Sequence, residues 1–308
     1  MILAAGLTPA WQQILCLDDL ELGEVNRASK ATWCASGKVI NVGIGAHHLD
    51  GNVKVLALVG SWSGDALAEE LTALGIPTHL IWTDVPTRVC TTLIEQSGPR
   101  ITELVENARP IENEAITQFV EAYAKEQEGA KAVVLSGSLP PGAPKTIYRD
   151  LIAKTSAPVV LDARGPELKE ALSTRPFVVK PNKQELEATV GRPLETENEL
   201  VAAMRELVEQ GPEWVVITQG GKSVYAASRD RVFTCTPPKV AVVNAIACGD
   251  CFAAGLACAI GRGRTMEQSI PFAVAAAAEN ARMLLPGRLE RRRVDILAET
   301  IAISPFSP

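Results

Sequence analysis

The chain is 308 residues long, 47% apolar and 21% charged, which suffices for one large or two ordinary domains and excludes a disordered chain. Only 5% of it is aromatic, so the core has to be aliphatic, as in a parallel sheet covered on both faces by helices. A net charge of −6 excludes wholesale binding of nucleic acid, while a few local cations would still hold a small anion.

In chain order, apolar runs predict strands at 2–5, 54–59, 132–136, 158–162, 177–179 and 214–218. Apolar residues at three and four spacing predict helices at 66–74, 112–125, 145–154, 197–209 and 267–285, with Gly75, Gly211 and Gly287 as stops after three of them. This rhythm predicts an α/β fold with a doubly wound, mainly parallel sheet flanked by helices. Residues 11–35 and 87–109 break it, alternating polar and apolar with little helix signal. They are expected to pair as a small β-sheet lid on a single domain spanning 1–308. Seven scattered cysteines, and an opening without the basic region of a signal peptide, predict a reduced, cytoplasmic protein. Residues 240–260 carry one charge, Asp250, but Asn244 and the Cys248-Gly249-Asp250-Cys251 cluster interrupt the run. A short strand and an alanine-rich helix joined by a tight turn are expected there, and no membrane span.

Several familiar motifs fail at single positions. Gly221-Lys222-Ser223 ends like a P-loop but has Val216 where that loop needs glycine. Gly43-Ile44-Gly45 is followed by His48 in place of a third glycine, and Gly60 to Gly64 has Trp62 where a nucleophile elbow needs serine. His47, His48 and His79 are too few and too badly spaced for zinc.

One segment does carry chemistry, Ala247-Cys248-Gly249-Asp250-Cys251-Phe252-Ala253-Ala254-Gly255. A small-residue turn opening a helix aims free amides and the positive end of the helix dipole at one point, where a phosphoryl group would be held. Asp250 there either caps the helix or takes a proton from an attacking hydroxyl.

The order and wording of further segments resemble the ribokinase (PfkB) family of carbohydrate kinases, in its branch of 1-phosphofructokinases and tagatose-6-phosphate kinases. The matching segments begin with Leu7-Thr8-Pro9-Ala10, Gly23-Glu24-Val25-Asn26-Arg27 and Ser36-Gly37-Lys38-Val39-Ile40-Asn41. Thr87-Arg88, Thr102-Glu103, Ser136-Gly137-Ser138-Leu139-Pro140-Pro141-Gly142, Lys180-Pro181-Asn182-Lys183-Gln184-Glu185, Thr218-Gln219-Gly220 and Gly249-Asp250 follow in the family's order. The resemblance implies a ribokinase-like fold and ATP-dependent phosphorylation of a sugar phosphate, with Asp250 as base and the amides around Ala247, Cys248 and Gly249 as anion hole. It implies Lys38, Arg88 and Ser138 as phosphate clamps, Gly37 and Asn41 at sugar hydroxyls, and Arg27 reaching across a lid-mediated homodimer. Asn182 and Glu185 would organise Mg²⁺ through water, and Lys180, Thr218 and Gly220 would line the ATP side.

The chain also departs from that family. Gln12 stands where the family has an aspartate that holds sugar hydroxyls, and Val105 where it has asparagine. Ser36-Gly37-Lys38-Val39 replaces glycine-glycine-lysine-glycine, and Ala247-Cys248-Gly249-Asp250 replaces glycine-alanine-glycine-aspartate. These changes leave open a kinase of another sugar, a nucleoside or a polyol, and a non-catalytic sensor of sugar phosphate or nucleotide. The Cys248/Cys251 pair at a helix start would also suit a redox switch, since thiol pKa values tend to fall there.

Overall fold

The computed structural model describes residues 1–98 and 100–306. The chain opens with β1 (Ile2–Gly6), β2 (Ala10–Leu17) and β3 (Lys30–Ser36), then α1 (Lys38–His48), β4 (Val53–Val59), α2 (Ser61–Ala73) and β5 (Thr78–Trp82). Next come β6 (Arg88–Glu95), β7 (Ile101–Val105), α3 (Asn113–Glu126), β8 (Ala132–Ser136), α4 (Ile147–Ile152), β9 (Val159–Asp162) and α5 (Gly165–Leu172). The second half holds β10 (Val178–Val179), α6 (Lys183–Val190), α7 (Glu197–Glu209), β11 (Trp214–Gln219), β12 (Lys222–Ala227) and β13 (Val232–Cys235). The chain ends with α8 (Cys248–Ile260), α9 (Met266–Ala281), α10 (Arg291–Thr300) and β14 (Ile303–Pro305).

Ten strands form one sheet in the order β14-β13-β12-β11-β10-β9-β8-β1-β4-β5, parallel from β11 to β5 with an antiparallel edge of β12, β13 and β14. Side chains alternate across its faces with a period of two. Ala4, Val55 and Val134 face α1, α2, α8, α9 and α10, which pack through Ile40, Leu67, Phe252, Ile270 and Val294. Leu3, Leu56 and Leu135 face the helices of the other layer, packed through Phe119, Leu151, Leu168, Leu186 and Leu207. The expected doubly wound sheet is therefore present, with the continuous apolar strands of a sheet covered on both sides. The run of alanines in α8 and α9 reflects close approach, because a Cβ on Gly255 would lie 3.0 Å from the Ala273 Cα.

A second, four-stranded sheet has the order β3-β2-β6-β7, with β2 and β6 parallel and the outer pairs antiparallel. Its strands match the two stretches that lacked helix signal, 11–35 and 87–109, overrunning the first by one residue at each end. Ile14, Cys16, Cys34 and Ile94 seal one end of its inner face onto Leu284 and Leu285, so it is anchored beside the main sheet.

One expectation is corrected. Residues 240–243 form no strand: β13 stops at Cys235, and Pro237-Pro238, which lack amide donors, prevent its extension. The apolar run that follows is held as a loop, with Val243 and Asn244 both donating to the Ala281 carbonyl (2.7 and 3.1 Å) and Val242 60% exposed. No helix among the described residues is long and apolar enough to cross a membrane.

Candidate active site

The strands β8, β9, β10 and β11 end toward the small sheet, and a cleft of about 540 Å³ opens between them. Clefts at the carboxyl ends of parallel strands are where open α/β sheets bind ligands, and this volume accommodates small molecules. Gln12, Gly37, Lys38, Asn41, Arg88, Ser138, Lys180, Asn182, Glu185, Thr218, Gly220, Ala247, Cys248, Gly249 and Asp250 all line it. Arg27 does not; it lies in the exposed turn between β2 and β3.

Asp250 sits in the first turn of α8 with 6% of its surface exposed. Ala247, just before the helix, adopts a left-handed conformation at φ 66° and ψ 8°. That conformation costs an L-residue about 1–2 kcal/mol, so the alanine keeps a glycine-type turn at some expense in stability. The N–H groups of Ala247 and Gly249 have no protein acceptor among the described residues, whereas that of Asp250 turns back to the Ala247 carbonyl (3.1 Å). Two free amides thus face the cleft beside the carboxylate.

The Asn41 amide donates from Nδ2 to Asp250 Oδ2 at 2.8 Å and accepts at Oδ1 from the Ser36 hydroxyl at 3.1 Å. Asn41, expected at sugar hydroxyls, lines the cleft, and its amide orients the Asp250 carboxylate. Burial and the nearby Asp162 charge push the Asp250 pKa up to about 6, against the pull of Lys38, Asn41 and Lys180. A carboxyl near that value is ionised at neutral pH and still basic enough to accept a proton.

Sequence reasoning read Asp162 only as the end of a strand, yet it organises the cations. Its Oδ1 meets Lys38 Nζ at 3.0 Å and its Oδ2 meets Lys180 Nζ at 3.2 Å, with the carboxylate 2% exposed. Burial opposes its ionisation, but Lys180 and Lys38 together hold its pKa below the ordinary value. Lys38 is likewise held above its ordinary value: burial pulls it down and Asp162, Asp250 and Glu185 outweigh that pull. A carboxylate at the carboxyl end of a buried parallel strand was the available signal. Lys38 itself is placed by Gly37, whose φ of 88° and 2.7 Å approach of a would-be Cβ to the Ala10 nitrogen admit no other residue without strain.

Arg88 donates to the carbonyls of Thr8 (3.1 Å), Pro9 (3.3 Å) and Glu106 (3.4 Å), which fixes its guanidinium at the head of the small sheet. Thr8 donates its hydroxyl to the Ser138 carbonyl at 3.0 Å, and buried Tyr148 donates to the Gly137 carbonyl at 2.7 Å, so the Gly137-Ser138 turn is held from both sides. Gln12 is 2% exposed, and its Nε2 donates to Thr92 Oγ1 at 2.8 Å.

Asn182 and Glu185 form the capping box of α6: Asn182 Oδ1 accepts from the Glu185 amide (2.8 Å) and Glu185 Oε2 from the Asn182 amide (2.9 Å). Among the described residues no three His, Cys, Asp or Glu side chains cluster as metal ligands. Glu185 keeps its second oxygen for the cleft, which suits Mg²⁺ that retains its water and is held by one carboxylate plus ligand phosphates. Thr218 bridges to Asn182, and Gly220 turns just beyond it at φ 60°.

The Cys248/Cys251 pair does not have the electrostatics of a reactive dithiol. Burial raises both thiol pKa values, that of Cys251 well above its ordinary value. Asn280 lies against both, accepting from Cys251 Sγ at 3.2 Å and donating to Cys248 Sγ at 3.5 Å, and it also bonds the Ile246 carbonyl and the Gly287 amide. These bonds brace the turn, and the lowered thiol pKa expected for a redox switch is absent at both described cysteines.

Comparison with known proteins places this cleft in context. The model of the pfkB family carbohydrate kinase matches residues 7–283. Phosphofructokinase-2 from Escherichia coli, solved in complex with substrates and products, has 23% identity and a TM-score of 0.89 over 96% of this chain and 98% of that one. A possible 1-phosphofructokinase from Thermotoga maritima has 22% identity and a TM-score of 0.88 over 99% of each chain. Ribokinase from Arabidopsis thaliana, complexed with ribose and ATP, has 20% identity and a TM-score of 0.76 over 97% of this chain and 98% of that one.

Proposed function

The chain belongs to the pfkB family of carbohydrate kinases, and from that premise we propose that it transfers the γ-phosphoryl group of ATP to a hydroxyl of a sugar phosphate. What carries this reading is the convergence of a buried, oriented carboxylate, two free amides and three cations on one cleft. Asp250 takes the proton of the acceptor hydroxyl while its oxygen bonds to the γ-phosphorus and the bond to the leaving ADP oxygen breaks. Asn41 keeps the accepting oxygen aimed. The amides of Ala247 and Gly249, with Lys38 and Lys180, stabilise the charge on the transferring group. Asn182 and Glu185 would hold Mg²⁺ through water, where it would neutralise nucleotide phosphate charge. Lys180, Thr218 and Gly220 face the nucleotide.

The phosphate of the acceptor falls to Arg88, Lys38 and Ser138. Arg88→Ala is expected to raise KM for a phosphorylated sugar at least about tenfold and to leave KM for ATP unchanged, because an ionic hydrogen bond is worth about 1.5–3 kcal/mol. Equal changes for phosphorylated and free sugars in steady-state kinetics would remove Arg88 from that role. The raised Asp250 pKa predicts that kcat/KM climbs with pH to a plateau, with an acid limb centred near 6. A limb near 4 in a pH-rate profile would exclude Asp250 as the ionising base.

The uncharged Gln12, tied through Nε2 to Thr92, favours a second reading in which the acceptor is another sugar, a nucleoside or a polyol. In the turn between β2 and β3, Leu22 and Val25 are 90% and 82% exposed, and Trp33 on the small sheet is 42% exposed. A homodimer through this sheet would cover such apolar surface and carry Arg27 toward the neighbouring cleft. All seven cysteines are free thiols, in keeping with a reducing cytoplasm.

A further inference from the structure

Asn244 and Asn280 are each 1% exposed, and neither is among the residues that line the cleft. Both nevertheless hold one residue of the turn that carries the free amides. The Ile246 N–H donates to Asn244 Oδ1 at 3.0 Å, and the Ile246 carbonyl accepts from Asn280 Nδ2 at 2.7 Å. Each asparagine is in turn anchored to the segment that follows α9. Asn244 Nδ2 donates to the Leu284 carbonyl at 2.9 Å, and Asn280 Oδ1 accepts from the Gly287 amide at 2.9 Å. Two buried amides thus have their polar atoms paired, and the pairing clamps both peptide groups of Ile246.

The consequence falls on Ala247. In a trans peptide the carbonyl and the N–H point in opposite directions, so the bond from Asn280 to the Ile246 carbonyl also fixes the direction of the Ala247 N–H. On its other side, the Ala247 carbonyl accepts from the Asp250 and Cys251 amides at 3.1 and 2.9 Å. With both flanking peptide planes held, Ala247 stays at φ 66° and ψ 8°, a conformation that an L-residue keeps only where its surroundings over-determine it. Rotation into the right-handed region would turn the peptide between Ile246 and Ala247 and carry its amide out of the cleft. A glycine would reach the same conformation at no steric cost.

We propose that Asn280 and Asn244 are positioning residues for phosphoryl transfer: they hold the Ile246 peptide groups so that the left-handed Ala247 keeps its amide on the transferring group. This rests on the reading of the chain as a sugar-phosphate kinase. Neither asparagine touches substrate, so their effect falls on the step in which charge develops on the phosphoryl oxygens and little on the binding of either substrate.

The test is steady-state kinetics and Tm on the full chain with Mg-ATP and the best phosphorylated ketohexose. It compares the parent, Asn280→Ala and Asn244→Ala, each with Ala247 and with Ala247→Gly. Asn280→Ala should lose about 100-fold in kcat, the scale of a small misplacement of a catalytic group, with both KM values within about twofold of the parent. Asn244→Ala, which frees only the preceding peptide, should lose less. Ala247→Gly removes the left-handed penalty, worth about 5–30-fold, so the kcat lost to each asparagine substitution should shrink by up to that factor in the glycine background. An equal loss in both backgrounds overturns the proposal, since the asparagines then do not act through Ala247. So does an unchanged kcat in both single variants. A lowered Tm with kcat and both KM values impaired alike, unrelieved by Ala247→Gly, assigns the asparagines a structural role and overturns it as well. If Asn280→Ala yields no folded chain, Asn244→Ala, which leaves the bond to the Ile246 carbonyl in place, is read against the same outcomes. Silence of the parent chain on every acceptor overturns the kinase reading and the proposal together.

Discussion

Asp250→Asn is expected to lower kcat by about 10²–10⁴-fold, the range that a positioned general base supplies, while nucleotide still binds. The substitution keeps shape and hydrogen-bonding capacity, so Asn41 would still find an oxygen to donate to. Stability should move the other way. Folding raises the Asp250 pKa to about 6 from its unfolded value of 3.8, so the folded chain binds the extra proton between those values. The ionised form is therefore penalised by the fold above pH 6, and stability from this group falls as pH rises through that window. An amide escapes the penalty. At pH 7 the variant should melt no lower than the parent, and a calorimetric Tm measured beside the kinetics checks it. A variant that is both inactive and unstable would mean that Asp250 serves as a structural cap.

Asp162→Asn should have the largest effect on stability. It removes the carboxylate shared by Lys180, itself 5% exposed, and Lys38, which is 38% exposed. Breaking a buried ion pair from one side costs about 3–5 kcal/mol, and the partial exposure of Lys38 places the expectation at the lower end, about 3 kcal/mol. The sign with pH is opposite to that of Asp250. Because the two lysines depress the Asp162 pKa, its contribution is complete above the ordinary carboxylate range and is lost as pH falls through the lowered value. The gap in Tm between parent and variant should therefore be widest at neutral pH and narrow on acidification. Two kinetic consequences accompany it. Turnover should fall by about 100-fold, the scale of a small misplacement of catalytic groups. The acid limb of kcat/KM should move below 6, because the Asp162 charge is one of the causes that raise Asp250. A limb that stays at 6 would show that burial alone sets the Asp250 pKa.

The main sheet was legible because its strands are covered on both faces and read as unbroken apolar runs, such as Val133 to Leu135. The edge was not: β12 and β13 alternate and carry polar residues such as Lys222, Ser223 and Thr234, which read equally well as loop. The error at 240–243 has the same root. An apolar run signals a strand only if a neighbour is free to pair with it, and whether one is free depends on distant parts of the chain. In the site, Asp250 and the glycine-rich turns were legible as local motifs. Asp162 was not, because its role comes from pairing across the fold: it meets Lys38 across 124 positions of sequence. Asn41 was located correctly at the cleft, but its bond to Asp250, 209 positions away, could be seen only in three dimensions.

The measurement that bears most directly on the central claim is ADP release by the intact chain with Mg-ATP. The acceptor panel comprises fructose 1-phosphate, fructose 6-phosphate, tagatose 6-phosphate, the unphosphorylated hexoses and nucleosides. Turnover confined to one or more of the phosphorylated ketohexoses, and lost in Asp250→Asn, is the predicted result. Silence across the panel in a chain that still binds nucleotide would contradict it.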